Sequence, residues 1–160
     1  IGTPELVARF EAEHDDYQSI MTKALADRMA EAFAEYLHHQ TRIQWGYEKP
    51  DEFASEELAN AKYRGIRPAF GYPACPDHTL KRELFELLQA EKNAGISITE
   101  SFAMLPAASV SGVYFSHPEA RYFSVDRVTK DQVQDYAKRR GMPLDEVERW
   151  LSPNLSYEPS

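Results

Sequence analysis

The residues best suited to chemistry stand in one proline-fenced stretch, Gly65-Ile-Arg-Pro-Ala-Phe-Gly-Tyr-Pro-Ala-Cys-Pro-Asp-His78. Arg67 offers a planar fork that matches a carboxylate. Gly71, with no Cβ, lets the backbone approach a ligand closely, and Tyr72 adds a ring that can stack or face a cation. Together they suit an amino-acid-like molecule. An arginine that only pins its own loop would leave the same pattern, so Arg-x-x-x-Gly-Tyr by itself does not separate binding from bracing. Cys75-Pro-Asp-His78 has the spacing of half a metal site, but the chain has a single cysteine, and His38, His39 and His117 are distant in sequence. With no second half to complete a zinc site, His14, His38, His39, His78 and His117 read as surface or loop-ordering histidines.

No phosphate-cradling glycine-rich loop, nucleophile elbow or metalloprotease histidine pair occurs in the chain. Asp131–Leu151 has the outline of a helix-turn-helix, yet its second helix carries Asp145, Glu146 and Glu148 against Arg149 alone and would repel a duplex. Lys138, Arg139 and Arg140 read instead as cations at the negative end of the first helix. The segment is expected to be a packed helical pair.

The elements that must position the loop follow from periodicity and capping signals. A short helix is expected near Pro4–Glu13. Asp15-Asp16 then caps a longer one with Ile20, Met21, Ala24, Leu25, Met29, Ala32, Phe33, Tyr36 and Leu37 on an i, i+4 stripe. Lys23, Asp27, Glu31 and Glu35 share the opposite side, which reads as a solvated face. Ser55-Glu-Glu57 starts a helix that ends near Gly65. The proline-rich stretch from Gly65 is expected to be an ordered, irregular loop, and Asp77 to cap a helix through about Lys92 with Leu80, Leu84, Leu87 and Leu88 on its apolar side and Gly95 at its end. Residues 96–126 read as about three short antiparallel strands, with a turn at His117-Pro118. Thr129-Lys-Asp-Gln132 fits a capping box, Gly141 a helix stop, and Leu144–Leu151 a last helix. The fold class is therefore α+β, with helices packed on a small, mainly antiparallel sheet and a helical C-terminus.

Composition bounds the function. The 160 residues suit a single unit, 1–160, and contain 42% apolar residues, the content of a chain that folds. With 18 Lys+Arg against 26 Asp+Glu the formal charge is −8, which disfavours nucleic acid and anionic lipid. No apolar run approaches the ~18–20 residues that span a bilayer, and no signal segment opens the chain, so no membrane association is expected. One cysteine cannot form an internal disulfide, which makes a cytoplasmic location the expectation. The first residue is Ile1 rather than methionine, which reads as a fragment or a processed product.

Several blocks in order then resemble one family. They are Asp15-Asp-Tyr17, Lys23-Ala-Leu-Ala-Asp-Arg28, Ala30-Glu-Ala-Phe-Ala-Glu-Tyr-Leu-His38, Trp45-Gly-Tyr47, the whole stretch from Gly65 to His78, Thr99-Glu-Ser-Phe-Ala-Met104, Ala108-Ser-Val-Ser-Gly112, Tyr114-Phe-Ser-His-Pro118, Glu146-Val-Glu-Arg-Trp-Leu151 and Pro153-Asn-Leu155. Over nearly the whole chain they resemble the C-terminal half of the activation domain of cobalamin-dependent methionine synthase.

The resemblance implies binding of S-adenosylmethionine, which remethylates cobalamin after an electron from a flavodoxin-type donor has reduced the inactive cob(II)alamin. It implies that Arg67 holds the methionyl carboxylate, that Ala69, Gly71 and Tyr72 approach the ligand through backbone and ring, and that Tyr122, with Phe123 beside it, is a second contact. It also implies that Glu31 is an acidic ligand contact and that Asp27, one turn earlier, meets the cobalamin-binding domain. Ala61 stands where the family pattern has a glutamate, and Phe70 where it has a proline. The family's domain is about twice this length, and the first half, like the zinc-, folate- and cobalamin-binding regions of the full enzyme, is not expected in this chain. The chain is thus expected to be part of a methyltransferase without catalytic residues of its own. The alternative is a stand-alone module that docks a corrinoid protein without binding S-adenosylmethionine.

Overall fold

Asp15 sets the start of the longest element: its Oδ1 accepts the Gln18 N–H at 3.0 Å, and α2 (Asp16–Gln44) follows. In the computed structural model, which describes residues 2–159, the chain forms two compact units. One contains the residues up to Arg64 together with Ala90–Val110; the other contains Gly65–Gln89 and the residues from Ser111 onward.

In the first unit α1 (Thr3–Ala12), with Pro4 in its first turn, lies against α2. Ser19 Oγ and Lys23 Nζ both donate to Glu11 Oε1, at 3.3 and 2.9 Å. The inward face of α2 is small and polar: Ser19, Ala34, His38 and Arg42 are buried, and Thr22, Ala26 and Ala30 are half-buried. Small side chains let a neighbouring backbone approach closely. The apolar stripe expected to face a core, from Ile20 to Leu37, is instead exposed. Periodicity reports that a helix has two faces; it does not report which of them the chain covers.

His38 and His39 also depart from expectation. His38 is fully buried, edge-on to the Tyr63 ring with centroids 5.1 Å apart. Glu48, itself buried, pairs through Oε1 with His39 Nδ1 and through Oε2 with Arg42 Nε. The Arg42 guanidinium lies 3.6 Å from the centre of the Tyr63 ring, whose hydroxyl donates to Glu35 Oε2 at 3.0 Å. Glu35 therefore belongs to a packed network rather than to a solvated face.

The third helix, α3 (Ser55–Ala59), is shorter than expected. Glu57 Oε2 accepts the Ala54 N–H at 3.1 Å, so Ala54 rather than Ser55 is the cap, and Ala61 leaves the helical region with φ of 52°. The helix expected from Asp77 to Lys92 is also interrupted. A 3₁₀ turn, His78–Leu80, leads into α4 (Lys81–Leu88), where Gln89 adopts a left-handed φ of 47°; α5 (Ala90–Ala94) and Gly95 follow. This break falls at the boundary of the two units. Leu84 is half-buried, whereas Leu87 and Leu88 are exposed.

Within residues 96–126 the only strands among the described residues are β1 (Ser97–Ile98) and β2 (Met104–Leu105), antiparallel with Ser97 opposite Leu105. Val113 and Phe115 do face a second segment, since Ile66 and Phe115 exchange N–H···O bonds of 2.9 and 3.0 Å and Val113 N–H donates to Pro68 O at 3.0 Å. Proline has no N–H to return, so this ladder stops after one full pair. Phe123 and Val125, within the stretch 96–126 expected to form strands, lie outside any strand. The α+β architecture stands, with the sheet reduced to two short strands.

The second unit has its core at the C-terminus. Val133 and Ala137 of α6 (Lys130–Arg140) pack with Val147 of α7 (Leu144–Trp150), Leu151 and Leu155. Thr129 N–H donates to Gln132 Oε1 at 2.9 Å, and Gly141, φ 64°, ends α6, as the capping signals require. None of the described helices is long and apolar enough to cross a membrane.

Candidate functional site

Arg67 lies between two backbone clamps: Ile66 is bonded to Phe115 and Pro68 to Val113. In extended backbone successive side chains point to opposite faces, so Arg67 and Ala69 share one face and Ile66 and Pro68 the other. Both Arg67 and Ala69 are half-buried. The clamp needs Gly112, because a Cβ there would stand 2.7 Å from Pro68 O, inside any tolerable contact. Gly112 ends the Ala108-Ser-Val-Ser-Gly112 block, but its role depends on a contact 44 positions back in the chain and has no local signal.

Beyond Pro68 the loop folds onto itself. Cys75 N–H donates to Tyr72 O, and Gly71 N–H to Cys75 O, each at 2.8 Å. Gly71 has φ of 88°, and a Cβ on it would lie 2.2 Å from His78 Cε1. The place of the missing side chain is taken by the His78 ring, so Gly71 is also required by the packing of the loop on itself. Its N–H is committed as well, to Cys75 O. His78 in turn sits 3.2 Å from Lys81 Nζ through Nδ1, with its ring centre 6.4 Å from that of Trp150. Burial, and secondarily the Lys81 charge, push the His78 pKa down, while Asp77 opposes them.

Asp77 is the anchor of the loop's C-terminal end. Buried, it accepts the Thr79 N–H through Oδ1 at 2.8 Å and the Tyr136 hydroxyl through Oδ2 at 2.6 Å, with Arg140 Nε 3.9 Å away. Sequence showed its capping role; the partners on α6 had no local signal. Cys75, half-buried, has its thiol pKa raised by burial and then by Asp77, which leaves it a protonated packing residue.

Tyr122 and Phe123 follow the His117 turn, closed by Ala120 N–H to His117 O at 3.0 Å, and both rings are exposed. Two residues on, Val125 N–H donates to Pro73 O at 2.7 Å, which ties this aromatic segment to the loop immediately after the exposed Tyr72. Arg67, Ala69, Gly71, Tyr72, Tyr122 and Phe123 thus belong to one unit and two backbone-linked segments. Asp27 and Glu31 belong to the other unit, one turn apart and exposed on α2.

A cleft of about 540 Å³ in the second unit is lined by Cys75, Asp77, Val125, Val128, Tyr136 and Leu151 among others, and by none of the residues to which the resemblance gives a ligand contact. Among the described residues, no group of three or more His, Cys, Asp or Glu is placed to hold a metal ion.

The family described as "Vitamin B12 dependent methionine synthase, activation domain" matches residues 1–141. A crystal structure of the MetH reactivation domain bound to AdoHcy superposes with a TM-score of 0.94 at 58% sequence identity, covering 98% of this chain and 48% of that one. The chain therefore spans about half the length of the structure it matches. Sequence and fold agree, and the chain belongs to the activation-domain family of vitamin B12-dependent methionine synthases.

Proposed function

We propose that the clamped loop and the Tyr122–Phe123 segment form the S-adenosylmethionine-binding portion of a B12-dependent methionine synthase. The observation that carries this reading is the AdoHcy held by a structure 58% identical to this chain. The chemistry of the site residues agrees with it. Arg67, oriented by the bonds on either side, would take the ligand's carboxylate in a bidentate fork. Ala69 and Gly71 would contribute backbone, and Tyr72, Tyr122 and Phe123 would offer ring faces to the sulfonium and the base. For the other unit the family resemblance alone suggests the roles of an acidic ligand contact for Glu31 and of a contact with the cobalamin-binding domain for Asp27.

In this reading the methyl acceptor is cobalamin carried by another domain and reduced by a flavodoxin-type donor, and its chemistry is that of a strong nucleophile. This chain's residues bind and orient the methyl donor; none serves as acid, base or nucleophile, so the contribution is positioning and charge complementarity. A cytoplasmic location fits a chain whose single cysteine can form no internal disulfide.

The test is isothermal calorimetry of the chain with S-adenosylmethionine. Arg67→Ala is expected to weaken binding by about 1.5–3 kcal/mol, as loss of a charge-assisted hydrogen bond does, with the melting temperature unchanged. Equal affinity in the variant, or no heat from the folded wild type, would overturn the reading.

A further inference from the structure

Two backbone bonds of 2.8 Å, Gly71 N–H to Cys75 O and Cys75 N–H to Tyr72 O, close the turn that carries Gly71 and Tyr72. Its weak point is Gly71, since glycine has the broadest backbone freedom of any residue and here must hold a φ of 88°. The His78 ring takes up the space beside it: a Cβ on Gly71 would lie 2.2, 2.3 and 2.6 Å from Cε1, Nδ1 and Nε2. One whole edge of the imidazole therefore packs against the glycine. The ring is held in turn by Lys81, whose Nζ lies 3.2 Å from Nδ1, and by Trp150, with ring centres 6.4 Å apart. An ammonium has donors only, so Nδ1 accepts, the imidazole proton sits on Nε2, and the arrangement requires the neutral ring.

We propose that His78 is a positioning residue for ligand binding: its neutral ring, wedged where Gly71 lacks a side chain, holds the Gly71–Tyr72 turn in its binding shape, and protonation of the ring releases that turn. Protonation removes the acceptor that Lys81 uses and sets a second positive charge beside an ammonium that is itself buried. The groups able to offset that charge are already engaged. Asp77 accepts the Thr79 N–H and the Tyr136 hydroxyl. From α6, Arg140 lies 3.9 Å from Asp77 and pairs with Glu83 of α4 at 2.7 Å, while α7 contributes Trp150, which does not titrate. Burial and Lys81 lower the His78 pKa against the pull of Asp77, in agreement with this geometry. The turn is therefore set above the folded His78 value and released as pH falls through it. The inference rests on the reading that Gly71 and Tyr72 approach S-adenosylmethionine; His78 acts through them and has no need to touch the ligand.

The test has an arm without ligand and an arm with it. In the first, NMR amide exchange compares wild type, His78→Ala and His78→Gln at about pH 7.5. The Gly71 and Cys75 amides are expected to lose at least about tenfold of their protection in His78→Ala, while the Ile66 and Phe115 amides of the clamp keep theirs. Glutamine reaches the same space, offers Lys81 an uncharged carbonyl and never protonates, so His78→Gln is expected to keep most of the protection. In the second arm, calorimetry with S-adenosylmethionine is expected to show at least about tenfold weaker binding by His78→Ala and binding by His78→Gln within about threefold of wild type. As pH falls through the His78 titration, followed by NMR, wild-type affinity should drop by at least about threefold and that of His78→Gln should not. Unchanged Gly71 and Cys75 exchange in His78→Ala overturns the inference, as do equal affinity in that variant and a glutamine variant that weakens with pH as wild type does. A wild type that gives the expected exchange pattern but no heat with S-adenosylmethionine overturns the reading of the site rather than the hold of His78 on the turn.

Discussion

Tyr136 donates its hydroxyl proton to Asp77 Oδ2 at 2.6 Å, a bond that joins the end of the proline-rich loop to α6 across 59 residues of sequence. Burial first, then the bond to Asp77 and its charge, push the tyrosine pKa well above its ordinary value. The native state therefore prefers the protonated form. Its contribution is complete below the unfolded value near 10 and is lost as pH rises from there toward the folded value. Tyr136→Phe leaves a buried carboxylate one donor short, and is expected to cost about 1–3 kcal/mol in urea unfolding at pH 7. The gap between wild type and variant should stay constant up to about pH 10 and narrow above it. A gap that does not change there would show that the hydroxyl bond is not its source.

Gly71 and His78 are expected to be coupled. Gly71→Ala meets two obstacles, a φ of 88° that costs an L-residue about 1–2 kcal/mol and an imidazole ring 2.2 Å from the new methyl. Only the second is relieved by His78→Ala. The double variant should therefore be more stable than the sum of the single losses by at least ~1 kcal/mol, measured as a thermodynamic cycle. Simple additivity would mean that the ring moves aside without cost.

His78 also predicts an acid limb of stability. Its folded pKa is lowered, chiefly by burial and next by Lys81, so the unfolded chain binds the proton more readily. Stability is present above the unfolded histidine value near 6.5 and falls as pH drops through the folded value. Proton NMR titration should place His78 below the ordinary histidine value near 6.5, and His78→Asn should flatten the dependence of the melting temperature between about pH 6.5 and the folded value. A His78 titration at or above the ordinary histidine value would contradict it.

The capping signals of this sequence were legible because they are local. Asp15, Thr129 with Gln132, and Gly141 each act on backbone within three or four residues, and each stands where its chemistry requires. The Arg67 loop was legible as irregular for the same reason: its prolines and glycines restrict their own backbone. What sequence could not show depends on distant partners. Which face of α2 the chain covers depends on its neighbours and not on its own residues, so the exposure of Leu25, Met29 and Phe33 had no local signal, and the interruption of the expected Asp77–Lys92 helix occurs at Gln89, a good helix former in a left-handed conformation. The bonds from Val125 to Pro73 and from Tyr136 to Asp77 assemble the candidate site from segments that carry no mark of each other.

The Arg42–Glu48 pair gives a last prediction, about the first unit. Arg42 is fully buried, its Nε paired with Glu48, and its Nη atoms have no hydrogen-bond acceptor among the described residues; the Tyr63 ring face takes that place. The cation is thus balanced by one carboxylate, which His39 shares. Glu48→Gln keeps the shape and removes the charge, leaving a buried guanidinium without its counterion. The expected loss is about 3–5 kcal/mol, against roughly 1 kcal/mol or less for an exposed pair such as Arg139–Asp135. Adding Arg42→Met to the same chain removes the uncompensated charge while keeping most of its packing volume, so the double variant should regain a substantial part of that loss. Chemical denaturation of the four chains of this cycle measures it. If Glu48→Gln costs no more than the exposed pair, the buried charge is being solvated by water and Arg42 does not depend on Glu48 for its place in the fold.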